Sequence, residues 1–162
     1  MCFEVLKDIK IVVSDVDGVL TDGGLYYSAD GMVMKKFNVK DGMGVVRLKK
    51  AGLLTGIIST DNSDIIKSRA ERLKMDFAIT GTWEKKSEML KLCEKYNCTM
   101  KNVAFIGDDV NDLEIIKSVG FSAAPADAMP EITEIVDYVC KKSGGKGVFR
   151  ELAELVLKNK ES

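Results

Sequence analysis

Two aspartates one residue apart, Asp15 and Asp17, follow the apolar run Ile11-Val12-Val13-Ser14 and lead into Gly18. Alternation in an extended segment points both side chains the same way. Carboxylates at the end of an apolar strand, with no basic residue next to them, are costly without a cation. The pair therefore predicts a metal-dependent acidic site. Two more apolar runs end in polar clusters: residues 53–58 in Ser59-Thr60-Asp61, and residues 103–106 in Gly107-Asp108-Asp109. The chain has no histidine. Ser-His-Asp and Cys-His sites, histidine-ligated zinc and a histidine general base are therefore excluded. Acid–base chemistry near neutral pH falls to carboxylates, lysine, tyrosine or cysteine.

The elements that must carry these residues alternate. Residues 9–14 predict a first strand, buried on both faces as in a parallel sheet. A hairpin over about 25–37 turns at Ser28-Ala29-Asp30-Gly31. A short helix around Val45 to Lys49 stops at Gly52. Strands over 53–58, 77–79, 103–106, 121–124 and 138–140 are separated by helices. The helix after Asp61 takes Ser63 or Asp64 as its cap and turns Ile65, Ile66, Ala70 and Leu73 inward. That over 86–96 turns Met89, Leu90, Leu92 and Cys93 inward, and helices over 113–119 and 131–136 follow. Residues 143–147 read as a flexible glycine-rich segment, and 148–157 as a closing amphipathic helix.

Such alternation indicates an α/β fold, a doubly wound parallel sheet with right-handed crossovers. Parallel strands bring their carboxyl ends to one edge, so the three polar clusters converge there. The 162 residues suit one domain over 1–162, with a tail over about 143–162. A net charge of −1 without a like-charged block argues against nucleic acid as partner. No apolar run approaches the roughly 20 residues of a membrane span. Charged residues within the first ten positions argue against a signal peptide. Cys2, Cys93, Cys98 and Cys140 form no C-x-x-C pair and read as free thiols in a reducing, cytoplasmic compartment. The sequon Asn97-Cys98-Thr99 would go unused there.

With Asp15, Asp17 and Asp108 within about 5 Å, each like pair repels by roughly 3 kcal/mol at an effective dielectric of 20. A hard divalent cation relieves this, and an oxygen-only ligand set selects magnesium over zinc. Magnesium shares its sphere readily with a phosphate. The Ser59 hydroxyl, backbone N–H groups after Asp17, and Lys85 or Lys86 offer donors for one. The assembly suits phosphoryl transfer, and without histidine a carboxylate oxygen is the natural attacking atom.

Asp15-Val16-Asp17-Gly18-Val19, Ser59, Lys85 and Gly107-Asp108-Asp109-Val110-Asn111-Asp112 stand in the order and spacing of the four motifs of the haloacid dehalogenase-like phosphatases, which the chain resembles. Leu20-Thr21-Asp22-Gly23, Phe37-Asn38-Val39-Lys40-Asp41-Gly42 and Gly144-Gly145-Lys146-Gly147-Val148-Phe149-Arg150-Glu151 narrow it. They resemble the 3-deoxy-manno-octulosonate 8-phosphate phosphatases and their sialic-acid-pathway relatives, over almost the whole chain. The resemblance implies a Rossmann-like fold and an aspartyl-phosphate intermediate on Asp15. Asp17 would protonate the leaving sugar oxygen and then deprotonate water. Magnesium would be held by Asp15, the Asp17 main-chain carbonyl and Asp108. Ser59, Lys85 and the Gly18 backbone would grip the phosphate. Asp109, Asn111 and Asp112 would orient ligands and the lysine.

The gaps between the motifs leave no room for a lid domain, so the resemblance is to capless members. Those relatives close their sites as tetramers: hairpins pack together and a neighbour's C-terminal tail reaches in. Leu25-Tyr26-Tyr27 and residues 144–150 are the counterparts here. Lys40, Lys146 and Arg150 would read the substrate carboxylate. Octulosonate phosphatases usually carry Gly-Arg where this chain has Thr60-Asp61. An acidic residue there, with Arg72 on the next helix, resembles the nonulosonate 9-phosphate phosphatases, and Asp61 would accept sugar hydroxyls. Val39-Lys40-Asp41-Gly42 tilts the balance to octulosonate. Two other classes stay open at this point: a phospho-accepting receiver domain, and a non-catalytic module like that fused to CMP-sialate synthetases.

Overall fold

The computed structural model describes residues 3–160, so Cys2 lies outside the described residues. After a short 3-10 turn, Glu4–Asp8, strand β1 covers Ile11–Ser14. A hairpin of β2 (Tyr26–Ser28) and β3 (Gly31–Met34) precedes helix α1 (Val39–Lys50). Then follow β4 (Leu54–Ile58), α2 (Asp64–Arg72), β5 (Phe77–Ile79), α3 (Lys85–Lys95) and β6 (Val103–Ile106). The chain ends with α4 (Leu113–Ile116), β7 (Phe121–Ala124), α5 (Pro130–Thr133), β8 (Tyr138–Val139) and α6 (Val148–Lys160).

Six strands make one parallel sheet in the order β5-β4-β1-β6-β7-β8. The chain runs outward from β1 to one edge, then crosses back to β6 on the other side. Strand order thus reverses between β1 and β6, the crevice where open α/β sheets bind ligands. The expected doubly wound sheet is the observed one. Alternate side chains serve two cores. Val12, Ala104 and Ile106 meet α1, α2 and α6 on one face, while Ile11, Val13 and Phe105 meet α3, α4 and α5 on the other. Full burial of each such valine, isoleucine or phenylalanine contributes about 1.5–3 kcal/mol. The hairpin stands apart as a separate two-stranded sheet.

Several elements depart from the sequence expectations. Helix α1 begins six residues before Val45, because Asn38 Oδ1 accepts the Lys40 N–H and starts it early. Leu90 is exposed rather than inward; α3 buries Lys85, Met89, Leu92 and Cys93 instead. Ser63 precedes α2 but makes no side-chain cap bond, and its N–H donates to Asp61 Oδ1 at 2.9 Å. The helix expected over 113–119 is one turn of α-helix preceded by a 3-10 turn, Val110–Asp112. Residues 143–147 are docked rather than loose. The Gly145 N–H donates to Val19 O at 2.9 Å, and Gly144 N–H to Asp127 Oδ1 at 2.9 Å. A Cβ on Gly144 would fall 2.0 Å from Gly18 O, so the glycine permits the strap to lie on the loop after β1.

Candidate active site

The carboxyl ends of β1, β4 and β6 deliver their polar clusters to one place. A ligand oxygen from each of Asp15, Asp108 and Asp112 lies within 4.8 Å of the other two. Asp15 leaves β1 with its N–H on Ile106 O at 3.0 Å, so the two central strands register the acidic loop directly. Its Oδ1 accepts the Val16 N–H at 2.7 Å. Gly18 then turns the chain at φ +84°, and a Cβ there would overlap the Asp108 carboxylate. Thr21, fully buried, accepts the N–H groups of Gly18 and Gly23 and closes the loop.

Lys85 opens α3 and is buried beneath the acidic group. Its Nζ lies 3.0 Å from Asp15 Oδ1 and 2.6 Å from Asp112 Oδ1. Asp112 Oδ2 also accepts the Asp108 N–H at 3.0 Å, so one carboxylate holds both the lysine and the β6 loop. Asp112 thus stands inside the acidic group, whereas the side chain of Asp17 points elsewhere. Asp109 is exposed and caps the turn after it through Val110 N–H. Asn111 lines a cavity of about 200 Å³ with Trp83, Lys85 and Lys86.

Ser59 is buried at the end of β4, and its Oγ accepts the Asp61 N–H at 3.2 Å. Asp61 does not present free oxygens. Oδ1 takes the Ser63 N–H and Oδ2 lies 2.8 Å from Lys35 Nζ. The same ammonium lies 2.6 Å from Asp17 Oδ1. Lys35, whose side chain is 0% exposed, belongs to none of the motifs that the sequence displays. The signal that could have found it is charge: Asp17 and Asp61 converge without a basic partner of their own.

The other expected substrate residues scatter. Arg150 pairs through Nε with Glu154 Oε1 at 2.5 Å and lies against Gly44 of α1. Arg72 closes α2, which starts at the active edge and runs back from it, so its end lies at the far side of the sheet. Arg69, one turn earlier, donates instead to Asn38 O at 3.3 Å. Lys40 and Lys146 are exposed. Lys40 lies beside Gly147, and Lys142 brings its Nζ to the same glycine.

Electrostatics follow the packing. Burial, reinforced by Asp112 and Asp108 and opposed by Lys85, pushes the Asp15 carboxyl well above the usual range. Burial and Asp112 push Asp108 up to about 7. Burial alone would pull Lys85 down, but Asp15 and Asp112 raise it overall. Lys35 is raised in the same way by Asp17 and Asp61. Asp61 is lowered: burial works against this, and the bonds from Lys35 and Ser63 outweigh it. Asp15, Asp108 and Asp112 crowd together as an oxygen-only donor set that fits a hard divalent cation.

The fold and this site define a class. Residues 53–152 match the family described as haloacid dehalogenase-like hydrolase, and the chain belongs to that family. Among its relatives, 3-deoxy-D-manno-octulosonate 8-phosphate phosphatase of Haemophilus influenzae is 39% identical over 152 residues, 94% of this chain and 84% of that one. The Escherichia coli K12 enzyme of the same name is 34% identical over 93% of this chain and 80% of its own length. The cobalt-bound structure of the Haemophilus influenzae phosphatase aligns at a TM-score of 0.94 with 38% identity, covering 97% of this chain and 92% of that one. The Moraxella catarrhalis phosphatase, solved with magnesium, phosphate and KDO, aligns at 0.94 with 34% identity, covering 98% and 91%.

Proposed function

We propose that the chain is a magnesium-dependent phosphatase acting on 3-deoxy-D-manno-octulosonate 8-phosphate. The observation that carries this is the convergence of Asp15, Asp108, Asp112 and Lys85 at the switch point of the sheet. Relatives of that name match over more than nine-tenths of the chain. Asp15 and Asp108 would hold the ion together with the Asp17 main-chain carbonyl. When bound, magnesium supplies the positive charge that keeps these carboxylates ionised and draws the phosphate in.

An ionised Asp15 oxygen attacks phosphorus, and the bond to the leaving sugar oxygen breaks. Asp17 gives that oxygen its proton and takes one back from the water that hydrolyses the aspartyl-phosphate. Lys85, fixed by Asp112, neutralises the transferring group, and the Ser59 hydroxyl completes its cradle, while the Gly18 N–H stays on Thr21 Oγ1. Lys40 and Lys146 face the sugar carboxylate in this reading. Asp61 serves as a counter-ion rather than a sugar contact.

The reading extends to residues 1–162 working as one capless unit in the cytoplasm. No helix among the described residues is long and apolar enough to cross a membrane. Exposed apolar residues on the hairpin, Leu25, Tyr26, Tyr27, Val33 and Met34, support assembly into tetramers through it. Phosphate release from octulosonate 8-phosphate, measured beside neuraminate 9-phosphate with and without magnesium, tests the substrate. Faster release from the octulosonate ester is expected. Preference for the nonulosonate ester would overturn the substrate assignment and leave the phosphatase class standing.

A further inference from the structure

Lys35 is the first residue after β3, and it reaches from the hairpin into the site. Its ammonium is enclosed between Asp17 Oδ1 at 2.6 Å and Asp61 Oδ2 at 2.8 Å. Burying an ammonium is costly, and only close carboxylates offset the cost. The two carboxylates come from different strand ends, after β1 and after β4. Neither stands among the three acidic groups that converge on the cation position.

Asp17 has few other restraints. Its side chain makes one other hydrogen bond among the described residues, accepting from the Thr21 hydroxyl at 3.5 Å. Asp61, by contrast, is anchored by the Ser63 N–H at the start of α2. Lys35 therefore bridges the Asp17 carboxylate to a carboxylate already held by the N–H that precedes α2.

We propose that Lys35 is a positioning residue that aims the Asp17 carboxyl at the leaving oxygen, with Asp61 as its anchor; the inference rests on the phosphatase reading above. In the step concerned, the bond from phosphorus to the ester oxygen breaks while the Asp17 proton passes to that oxygen. An alkyl ester leaves as a strongly basic alkoxide and needs the proton. p-Nitrophenyl phosphate leaves as a stable phenolate and does not. Lys35 is sealed from solvent, so it acts through Asp17 and not on the substrate.

The experiment compares Lys35→Met and Asp61→Asn with the parent enzyme in magnesium, on the sugar acid phosphate, on ribose 5-phosphate and on p-nitrophenyl phosphate. A positioned general acid is worth about 10²–10⁴-fold, so kcat on the alkyl esters should fall at least about tenfold more than kcat on the aryl ester. KM should move little. Asp61→Asn keeps the ammonium and loosens its anchor, so it should shift the same ratio by less; it also serves if Lys35→Met does not fold. Equal losses on both ester types, or a loss carried by KM, would overturn the inference. A parent inactive on the sugar acid phosphate but active on ribose 5-phosphate would remove the substrate reading while the Lys35 ratio could still be read. A parent inactive on every ester would overturn both.

Discussion

Gly18 carries a constraint that no other residue type meets. Its φ of +84° costs a non-glycine residue about 1–2 kcal/mol, and a Cβ would sit 1.9 Å from Asp108 Oδ2. Gly18→Ala should therefore stay folded with a modest loss of stability. Its kcat should drop by about 10²-fold, because the carboxylate has to move by an ångström or so. Thermal melting with steady-state phosphate release checks both halves. A variant with parental turnover would show that Asp108 is not held where the loop puts it.

Residues differ in how plainly a sequence displays them. Asp15, Ser59, Lys85 and Asp108 end or follow recognisable apolar runs, and spacing along the chain is enough to mark them. The place of Asp112 in the acidic group is set by the 3-10 turn Val110–Asp112, which folds its carboxylate back over the β6 end. Lys35 is hidden for a different reason. It stands beside Lys36 after a short hairpin, and which of two adjacent lysines turns inward depends on Asp17 and Asp61, 18 and 26 positions away. Asp61 reads as a free acceptor in the sequence, which does not show that Lys35 and Ser63 occupy both its oxygens.

At the scale of elements, α1 and α6 pack side by side and meet at Asp41. Asp41 Oδ1 accepts the Arg150 N–H at 3.0 Å in the first turn of α6, while Oδ2 is buried without a hydrogen bond among the described residues. Burial, partly offset by the α6 backbone and by Arg69 and Lys142, pushes its carboxyl up to about 6 from 3.8. The folded protein thus keeps a proton that the unfolded chain releases over that interval. The stability from this group is complete below the unfolded value and is lost as pH rises through about 6. Two pKa units correspond to about 3 kcal/mol. Asp41→Asn removes the titration, so its stability relative to the parent should improve by about 2–3 kcal/mol between about pH 4 and about pH 8. Urea unfolding at several pH values reads this, and a flat difference would contradict it.

The boundaries of elements were less legible than their order. Every strand of the main sheet is written in apolar runs, but the first two turns of α1 contain Gly42 and Gly44, which disguise them as loop. The Gly144–Gly147 strap reads as flexible from composition alone. Its partners, Val19 O, Asp127 and Asn38, are distant in sequence and invisible to local pattern. Arg72 shows how direction escapes a sequence: a helix that follows a strand carries its end away from the carboxyl edge.

For the whole molecule, the sheet is covered by helices on both faces, while the hairpin carries its apolar side chains outward. Tyr27 is 68% exposed and Met34 55%. Contiguous exposed apolar surface of this kind marks an interaction site. Replacing Tyr27 by Glu and Val33 by Lys should reduce the mass in light scattering from a multiple of the chain to 17.8 kDa. A parent already at that mass would refute assembly through the hairpin. Lys35 follows Met34 directly, so the surface expected to pack on neighbours is one residue from the bracket on Asp17.

The central claim is that Asp15 attacks phosphorus in a magnesium-loaded site. The most direct measurement is phosphate release from octulosonate 8-phosphate by the parent and by Asp15→Asn, each with magnesium and again with EDTA. Multiple turnovers by the parent, abolished by EDTA and absent in a folded Asp15→Asn, are the predicted result. Sustained release by Asp15→Asn, or release by the parent that EDTA leaves untouched, would contradict it.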